Sequence, residues 1–238
     1  MCKNFMKVTT GWLYHIDENS DIDITIESDD PVAIIDQTVW SGINRKILVS
    51  GATQCTIYGA LLLSDYYDVH IVTHGEHAVT NVRYALVSAW ENALRARIIS
   101  QLATRNTTTD MHIVSLVADD GEIILDGTVQ IDEGIEKASG HILEENIFLG
   151  SKGKIKGIPS LLVRSNDVVA GHAARMERIP DDKLYYLRAR WIPKDDATVM
   201  MIRSSISQVF DGLEKFDEKL KDTLIQTVLE HGIHGLID

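Results

Sequence analysis

Residues 158–190 read IPSLLVRSNDVVAGHAARMERIPDDKLYYLRAR, and within this stretch the pattern of the chain changes from strand to helix. The early run SLLV is short and rich in branched apolar residues, as β-strands are. Residues 179–182 (IPDD) then supply the proline and the acidic residues that are typical of a helix start. Leu184, Leu187 and Trp191 follow at three- and four-residue spacing, which predicts a helix.

Short strand-like runs also precede this stretch, from Gly11 to Arg178, and are separated by Gly, Asn, Asp or Ser. The clearest runs are Ile22–Ile26, Val32–Ile35, Lys46–Val49, Thr56–Tyr58, Val69–Val72, Ile113–Val117, Glu122–Leu125 and Ser160–Val163. Helical patterns are scarce there, which argues against a βαβ sheet. Many strands of three to five residues fit either a β-sandwich or a parallel β-helix, and no strict sequence period decides between them.

Helical periodicity continues to the end of the chain, interrupted by Pro193. A second helix is predicted from one apolar stripe, ending near Gly212: Val199, Ile202, Ile206, Val209 and Leu213. A third is predicted from another stripe, closed by Gly232 and Gly235: Phe216, Leu220, Leu224 and Val228. We therefore divide the chain into a β core (1–178) and a helical segment (179–238).

Composition and charge exclude several classes of function. The 238 residues are 45% hydrophobic and 24% charged, which is ordinary for a globular protein. With 23 basic and 35 acidic residues the formal net charge is −12, so the chain is a poor candidate for binding nucleic acid or an anionic membrane. No stretch approaches the roughly 20 apolar residues that span a bilayer, and the amino terminus lacks a signal-peptide core. We expect a cytoplasmic protein.

Few side chains suggest chemistry of their own. His70, His74 and His77 are close in sequence, but partly exposed strand histidines explain them better than a metal site. Cys55 stands in an apparent strand and is expected in the core, and Cys2 is near the terminus.

A glycine-rich segment also fails as a catalytic motif. Residues 150–157 (GSKGKIKG) contain no Gly-Lys followed by Ser or Thr, so they fail the test for a P-loop and fit a turn between strands. The chain is not expected to bind a nucleotide itself.

The carboxyl-terminal half resembles a known family. Residues 158–163 (IPSLLV), 166–174 (NDVVAGHAA) and 181–190 (DDKLYYLRAR) are similar, in order and spacing, to the carboxyl-terminal signature of the SufB/SufD family, which builds iron–sulfur clusters. Its pattern runs Pro-x-Leu-x-Ile, then Asp-Asp-Val-x-Cys-x-His-Gly-Ala-Thr, then Leu-Phe-Tyr-Leu-x-Ser-Arg-Gly. The good match covers residues 122–213. It implies a mainly β protein, a right-handed parallel β-helix with a carboxyl-terminal helical segment.

The resemblance also implies partners and cargo. Members of the family pair through their β-helices, so this chain is expected to pair with itself or with a SufB-type subunit. Their carboxyl-terminal helices dock a SufC-type ABC ATPase, which would supply the nucleotide hydrolysis that this chain lacks. The implied cargo is a transient iron–sulfur cluster.

Two residues fall on positions that the family uses at the subunit junction. His172 matches the histidine proposed in SufD to help hold the nascent cluster. Glu144 falls where SufB has its junction cysteine; it is a hard ligand for iron in one interpretation and a solvated strand carboxylate in the other. Ala170 stands where many members have cysteine, and Ala189 and Trp191 replace the serine and glycine of the last motif.

On the helical side, Tyr185, Tyr186, Leu187 and Arg190 match the helix that touches the ATPase, although core packing also explains Leu187. The leading hypothesis is a reduced, SufD-like scaffold subunit that is not an enzyme. Two alternatives stay open: a β-helix enzyme acting on polysaccharide, and a degenerate family member kept as an interaction module.

Overall fold

The computed structural model describes residues 4–16, 20–38, 42–62, 65–118 and 120–233. Cys2 and Gly235 lie outside these ranges, as do residue 1, where the predicted β core begins, and residue 238, where the predicted helical segment ends. The strands are β1 (Asn4–Val8), β2 (Leu13–His15), β3 (Ile22–Ile26), β4 (Val32–Thr38), β5 (Ile43–Val49), β6 (Gln54–Leu62), β7 (Tyr66–Thr73), β8 (Val79–Ser88), β9 (Ala93–Leu102), β10 (Thr108–Val117), β11 (Glu122–Ile131), β12 (Ala138–Phe148), β13 (Lys154–Gly157), β14 (Ser160–Val163) and β15 (Val168–Arg178). The helices are α1 (Asp181–Arg188), α2 (Lys194–Val209) and α3 (Glu218–Ile233), with a 3₁₀ turn at Leu213–Lys215.

The strands form two sheets that the chain visits in turn. Sheet A has the order β1-β3-β5-β7-β9-β11-β13, with β14 also paired to β11, and sheet B has the order β15-β12-β10-β8-β6-β4-β2. Every described pair is parallel. Parallel strands that are neighbours in a sheet cannot be joined by a hairpin. Between two neighbouring strands of one sheet, the chain therefore passes through the other sheet. This coiling confirms the β-helix and decides against the β-sandwich.

The coils lengthen along the chain, which explains why no sequence period is visible. Asn4 pairs with Ile22, 18 residues later, whereas Val79 pairs with Thr108, 29 residues later. The strands lengthen as well: β8 to β11 have ten residues each, so the expectation of three to five was too short.

The middle strands of sheet B are buried on both faces. In β8, Val82 and Leu86 pack into an inner core between the two sheets. Ala85 and Val87 point the other way, into a second core that the helices cover. This double burial gives the middle strands nearly continuous apolar runs instead of an alternating pattern.

The helical stripes largely confirm the sequence prediction. Ile202, Ile206 and Val209 of α2 and Leu224 and Val228 of α3 are buried in the second core. Helices α2 and α3 thus cover the outer face of the middle strands of sheet B, β6, β8 and β10.

Several details of the predicted helices were wrong. The first helix ends at Arg188, so Trp191 lies beyond it and Pro193 does not end it. Leu213 belongs to the 3₁₀ turn, Phe216 precedes α3, and Gly232 lies within α3 instead of closing it.

Candidate functional site

Strand β15 forms an open edge at the end of sheet B. It is the last strand in its sheet, and all eleven of its residues are half-buried or exposed. The unpaired backbone groups of an edge strand can hydrogen-bond to another chain. Val169 and Met176 add apolar surface here, at 62% and 54% exposure. The edge therefore has the backbone and the apolar contacts that a partner strand needs.

His172 lies in the middle of β15, on the interior side of the sheet. It is in register with Ile142 of β12, whose side chain is in the inner core, and register partners in a parallel sheet point to the same face. The residue is exposed because β15 is the last strand. Among the described residues the imidazole has no hydrogen-bond partner, so its nitrogens are available to a ligand.

Glu144 of β12 is fully buried, which contradicts its interpretation as a solvated strand carboxylate. Neither carboxylate oxygen has a hydrogen-bond partner in the described part of the chain. Burial raises the pKa of the Glu144 carboxyl to about 7, and repulsion from Asp126 adds to the effect. The side chain is therefore easily protonated near neutral pH.

The register brings the two predicted ligands to one face of adjacent strands. Glu144 pairs with Ala174, two residues after His172 on β15. Side chains two residues apart on a strand share a face, so both residues point toward the interior side. His172 lies at the open edge, and Glu144 lies one strand behind it.

Two more buried polar side chains, which sequence reasoning missed, form a row with Glu144 on the interior face of sheet B. Asn146 follows two residues later on β12, and Ser115 is its register partner on β10. Both are buried, and neither side chain finds a hydrogen-bond partner among the described residues. The polar run EEN inside the apolar β12 was the signal that could have found this row.

On the opposite face, a polar cluster lies between the sheet and the helices. Nε2 of His112 is buried, 3.8 Å from Oε1 of Glu145, whose Oε2 is 3.6 Å from Nη2 of Arg175 on β15. Burial lowers the pKa of His112, and the nearby Glu145 carboxylate partly opposes this. This cluster was also missed, because a strand sequence alone does not tell which outward residues a helix will cover.

Three of the residues assigned to the ATPase surface, Tyr185, Tyr186 and Leu187, lie on α1, whereas Arg190 lies in the turn beyond its end, so the prediction that Arg190 belongs to this helix was wrong. Tyr185 and Tyr186 are 75% and 58% exposed, and Leu187 is half-buried, whereas Leu184 is buried. The exposed guanidinium of Arg190 stacks on the Tyr186 ring, 3.7 Å from its centroid. Tyr, Arg and Trp are the residues that most often dominate binding energy at protein interfaces.

The other candidates have ordinary explanations. His70 is half-buried in β7 with Nε2 2.7 Å from Oε1 of Gln101, while His74 and His77 follow the strand in a turn. No group of three His, Cys, Asp or Glu residues in the described ranges could hold a metal ion. Cys55 is in the inner core, as expected, and burial raises the pKa of its thiol to about 12.

The fold defines a parallel β-helix protein with trailing helices. Beyond that, the chain belongs to the SufBD family: the family model described as "SUF system FeS cluster assembly, SufBD core domain" matches residues 52–205. This match starts well before residue 122, where the resemblance first became clear in the sequence. It includes β15, α1 and most of α2.

Curated relatives agree with the family. Iron-sulfur cluster assembly protein SufD of Escherichia coli (strain K12) is 27% identical over 114 residues, covering 48% of this chain and 26% of that protein. SufD of Bacillus subtilis (strain 168) is 33% identical over 98 residues, covering 41% and 22%. Protein ABCI7, chloroplastic, of Arabidopsis thaliana is 23% identical over 155 residues, covering 64% and 32%.

The chain thus spans a third or less of these relatives. Within the described residues, the helices are all too short or too polar to cross a membrane.

Proposed function

We propose that this chain is a SufD-like, non-catalytic scaffold subunit in iron–sulfur cluster assembly. The observation that carries the proposal is the open β15 edge, which presents the unpartnered His172 imidazole beside the buried Glu144 carboxylate. The match to the SufBD core domain and the similarity to SufD proteins support a role in cluster assembly.

Pairing with a second subunit follows from the edge itself. A strand from another β-helix, either a second copy or a SufB-type subunit, would hydrogen-bond to β15 and cover Val169 and Met176. The pairing would enclose His172, which is otherwise exposed. A site that is complete only between two subunits allows a cluster to form when they are together and to leave when they separate.

The nascent cluster is cargo in this proposal, and the donors present suit iron. Imidazole is a common ligand of iron, and carboxylate oxygens are hard ligands that iron also accepts. His172 meets the incoming metal first, and the two unpartnered oxygens of Glu144 lie behind it. Because Glu144 must lose its proton to bind, its participation would grow as the pH rises. Cys55, the only cysteine in the described ranges, is buried in the core and kept protonated, so it is not suited to accept sulfur.

A SufC-type ATPase is the proposed partner of α1 and the turn that follows it, through Tyr185, Tyr186, Leu187 and Arg190. Helices α2 and α3 pack directly on β8 and the neighbouring strands of sheet B, the sheet that ends in β15. A nucleotide-driven movement of the bound ATPase could therefore reach the open edge through packed side chains instead of a flexible linker. The mechanical link is the second core, in which Ile147 of β12 packs among the helices.

Co-purification tests the docking step with point variants, because removing the helices would expose the second core. We expect Tyr186→Ala to reduce retention of a SufC-type ATPase, since it removes an exposed ring and the stacking partner of Arg190. Tyr66→Ala is the matched control, because Tyr66 is also partly exposed, at 41%, but lies on β7 of the other sheet. Equal retention by the two variants would remove α1 from the interface.

A further inference from the structure

Trp191 has a backbone conformation that normally requires glycine. Its φ is +66°, in the left-handed region that bulky L-residues rarely adopt. The Trp191 N–H donates to the carbonyl of Arg188 at 3.0 Å, and the Ile192 N–H donates to the carbonyl of Leu187 at 3.4 Å. These are the two hydrogen bonds of a Schellman motif, whose left-handed position is usually glycine. The helix therefore ends in an ordinary way, but with an unusual residue.

The Trp191 side chain makes little contact with the described part of its own chain. It is 95% exposed, the highest value among the exposed large apolar residues of the described ranges. The SufB/SufD pattern has glycine at this position, and glycine would relieve the strain and remove the exposed ring. Backbone strain that brings no folding benefit is characteristic of functional positions.

We propose that Trp191 is the anchor with which this chain binds its ATPase subunit, by inserting the indole into an apolar pocket of that protein. The inference rests on the proposed function. Trp191 directly follows Arg190, whose guanidinium stacks on the exposed Tyr186 ring. Buried Trp residues surrounded by Tyr and Arg are the usual composition of a binding hot spot.

Charge argues against a second copy of this chain at this surface. Arg188 and Arg190 lie three residues and one residue before the anchor and bring two positive charges close to it, although the chain as a whole carries a net charge of −12. A symmetric dimer through Trp191 would bring the same residues of both copies together, so the arginines would face like charges. A different protein with carboxylates around its pocket avoids this repulsion.

The test compares the affinity of Trp191→Gly and of the unchanged protein for a SufC-type ATPase, by isothermal titration calorimetry. Gly suits the left-handed backbone, so we expect an unchanged or higher melting temperature together with a dissociation constant raised about tenfold or more. Trp90→Gly is the matched control, because Trp90 also has a positive φ, +53°, and is 46% exposed on a turn of the β-helix. It should bind like the unchanged protein.

A second variant separates the ring from the backbone strain. Trp191→Ala also lacks the indole but keeps an L-residue in the left-handed conformation, so it should lose as much affinity as Trp191→Gly and melt at a lower temperature than that variant. An affinity of Trp191→Gly equal to that of the unchanged protein overturns the anchor while leaving the proposed function intact. A difference in oligomeric state between Trp191→Gly and the unchanged protein, each without the ATPase, also overturns the anchor. Failure of the unchanged protein to bind the ATPase overturns the docking proposal itself.

Discussion

The carboxylate of Glu144 lies over Gly127 of the facing strand β11, in the space that a side chain at position 127 would occupy. A Cβ built there would collide with Oε1 of Glu144 and crowd Cδ1 of Ile142. Glycine within a strand often marks such a close approach, and here it leaves room inside the β-helix for one carboxylate. The pair Gly127 and Glu144 therefore defines the inner wall of the proposed junction.

Filling that space should destabilise the protein. We expect Gly127→Ala to lower the free energy of unfolding by about 2 kcal/mol, as overpacking of a tight core does. In a Glu144→Ala background the same change should cost clearly less, because the colliding carboxylate is gone. Urea denaturation of the four proteins of this double-mutant cycle measures the difference.

The control for this cycle is Gly232→Ala in α3, where a new Cβ meets no atom closer than 3.6 Å. Alanine favours a helix over glycine, so this variant should be as stable as the unchanged protein or more so. Equal costs of Gly127→Ala with and without Glu144 would show that the two residues do not touch.

Glu144 should make stability depend on pH. Its pKa is raised from 4.5 to about 7 in the folded chain, so between these values the folded state holds a proton that the unfolded state has lost. The free energy of unfolding should therefore fall as the pH rises through this range, by on the order of 2 kcal/mol, and then level off above it. Denaturation at pH 5 and pH 8 measures the fall.

Glu144→Gln isolates this effect, because glutamine has a similar shape and no charge. Between pH 5 and pH 8, we expect the free energy of unfolding to fall less for this variant than for the unchanged protein. All other titrating groups contribute equally to both proteins. If both proteins lose stability equally over this range, Glu144 does not titrate as described.

The open edge makes a prediction about assembly. Val169→Lys places a charge on β15 at a side chain that is 62% exposed, so folding should be unaffected. Any pairing through β15 should weaken, because a lysine at an edge opposes strand addition. Light scattering after size-exclusion chromatography, alone and with a SufB-type subunit, should show dissociation with an unchanged melting temperature.

Phe5→Lys is the matched control at the other end of the β-helix, where β1 is the first strand of sheet A and Phe5 is 67% exposed. It should leave the pairing unchanged. Dissociation by Phe5→Lys but not by Val169→Lys would place the interface at β1 and contradict pairing through β15.

Much of the β-helix could be predicted from sequence, and the limits have physical causes. Runs such as Ile22–Ile26 match their strands because local propensity and burial agree there. The coil architecture needed the family resemblance, because coils that lengthen from 18 to 29 residues leave no repeat to detect. The apolar stripes of α2 and α3 could be predicted because one face of each helix packs on sheet B.

The candidate site was less accessible from sequence. His172 was found by its place in a family motif, not by its own pattern. The burial of Glu144 could not be predicted, because strand alternation does not say which face closes on another sheet. Trp191 was taken as a helical residue because its spacing fits, but its backbone is that of a helix terminus. Functional positions are where local preferences and structure are expected to disagree.

Anaerobic reconstitution with iron and sulfide, followed by visible absorbance, tests the central claim most directly. We expect the protein with its pairing subunit to develop the absorbance of an iron–sulfur cluster, and His172→Ala to lose most of it. His74→Ala, which changes an exposed histidine outside the junction, should load like the unchanged protein. Equal loading of His172→Ala and the unchanged protein, or no loading of either, would contradict the account.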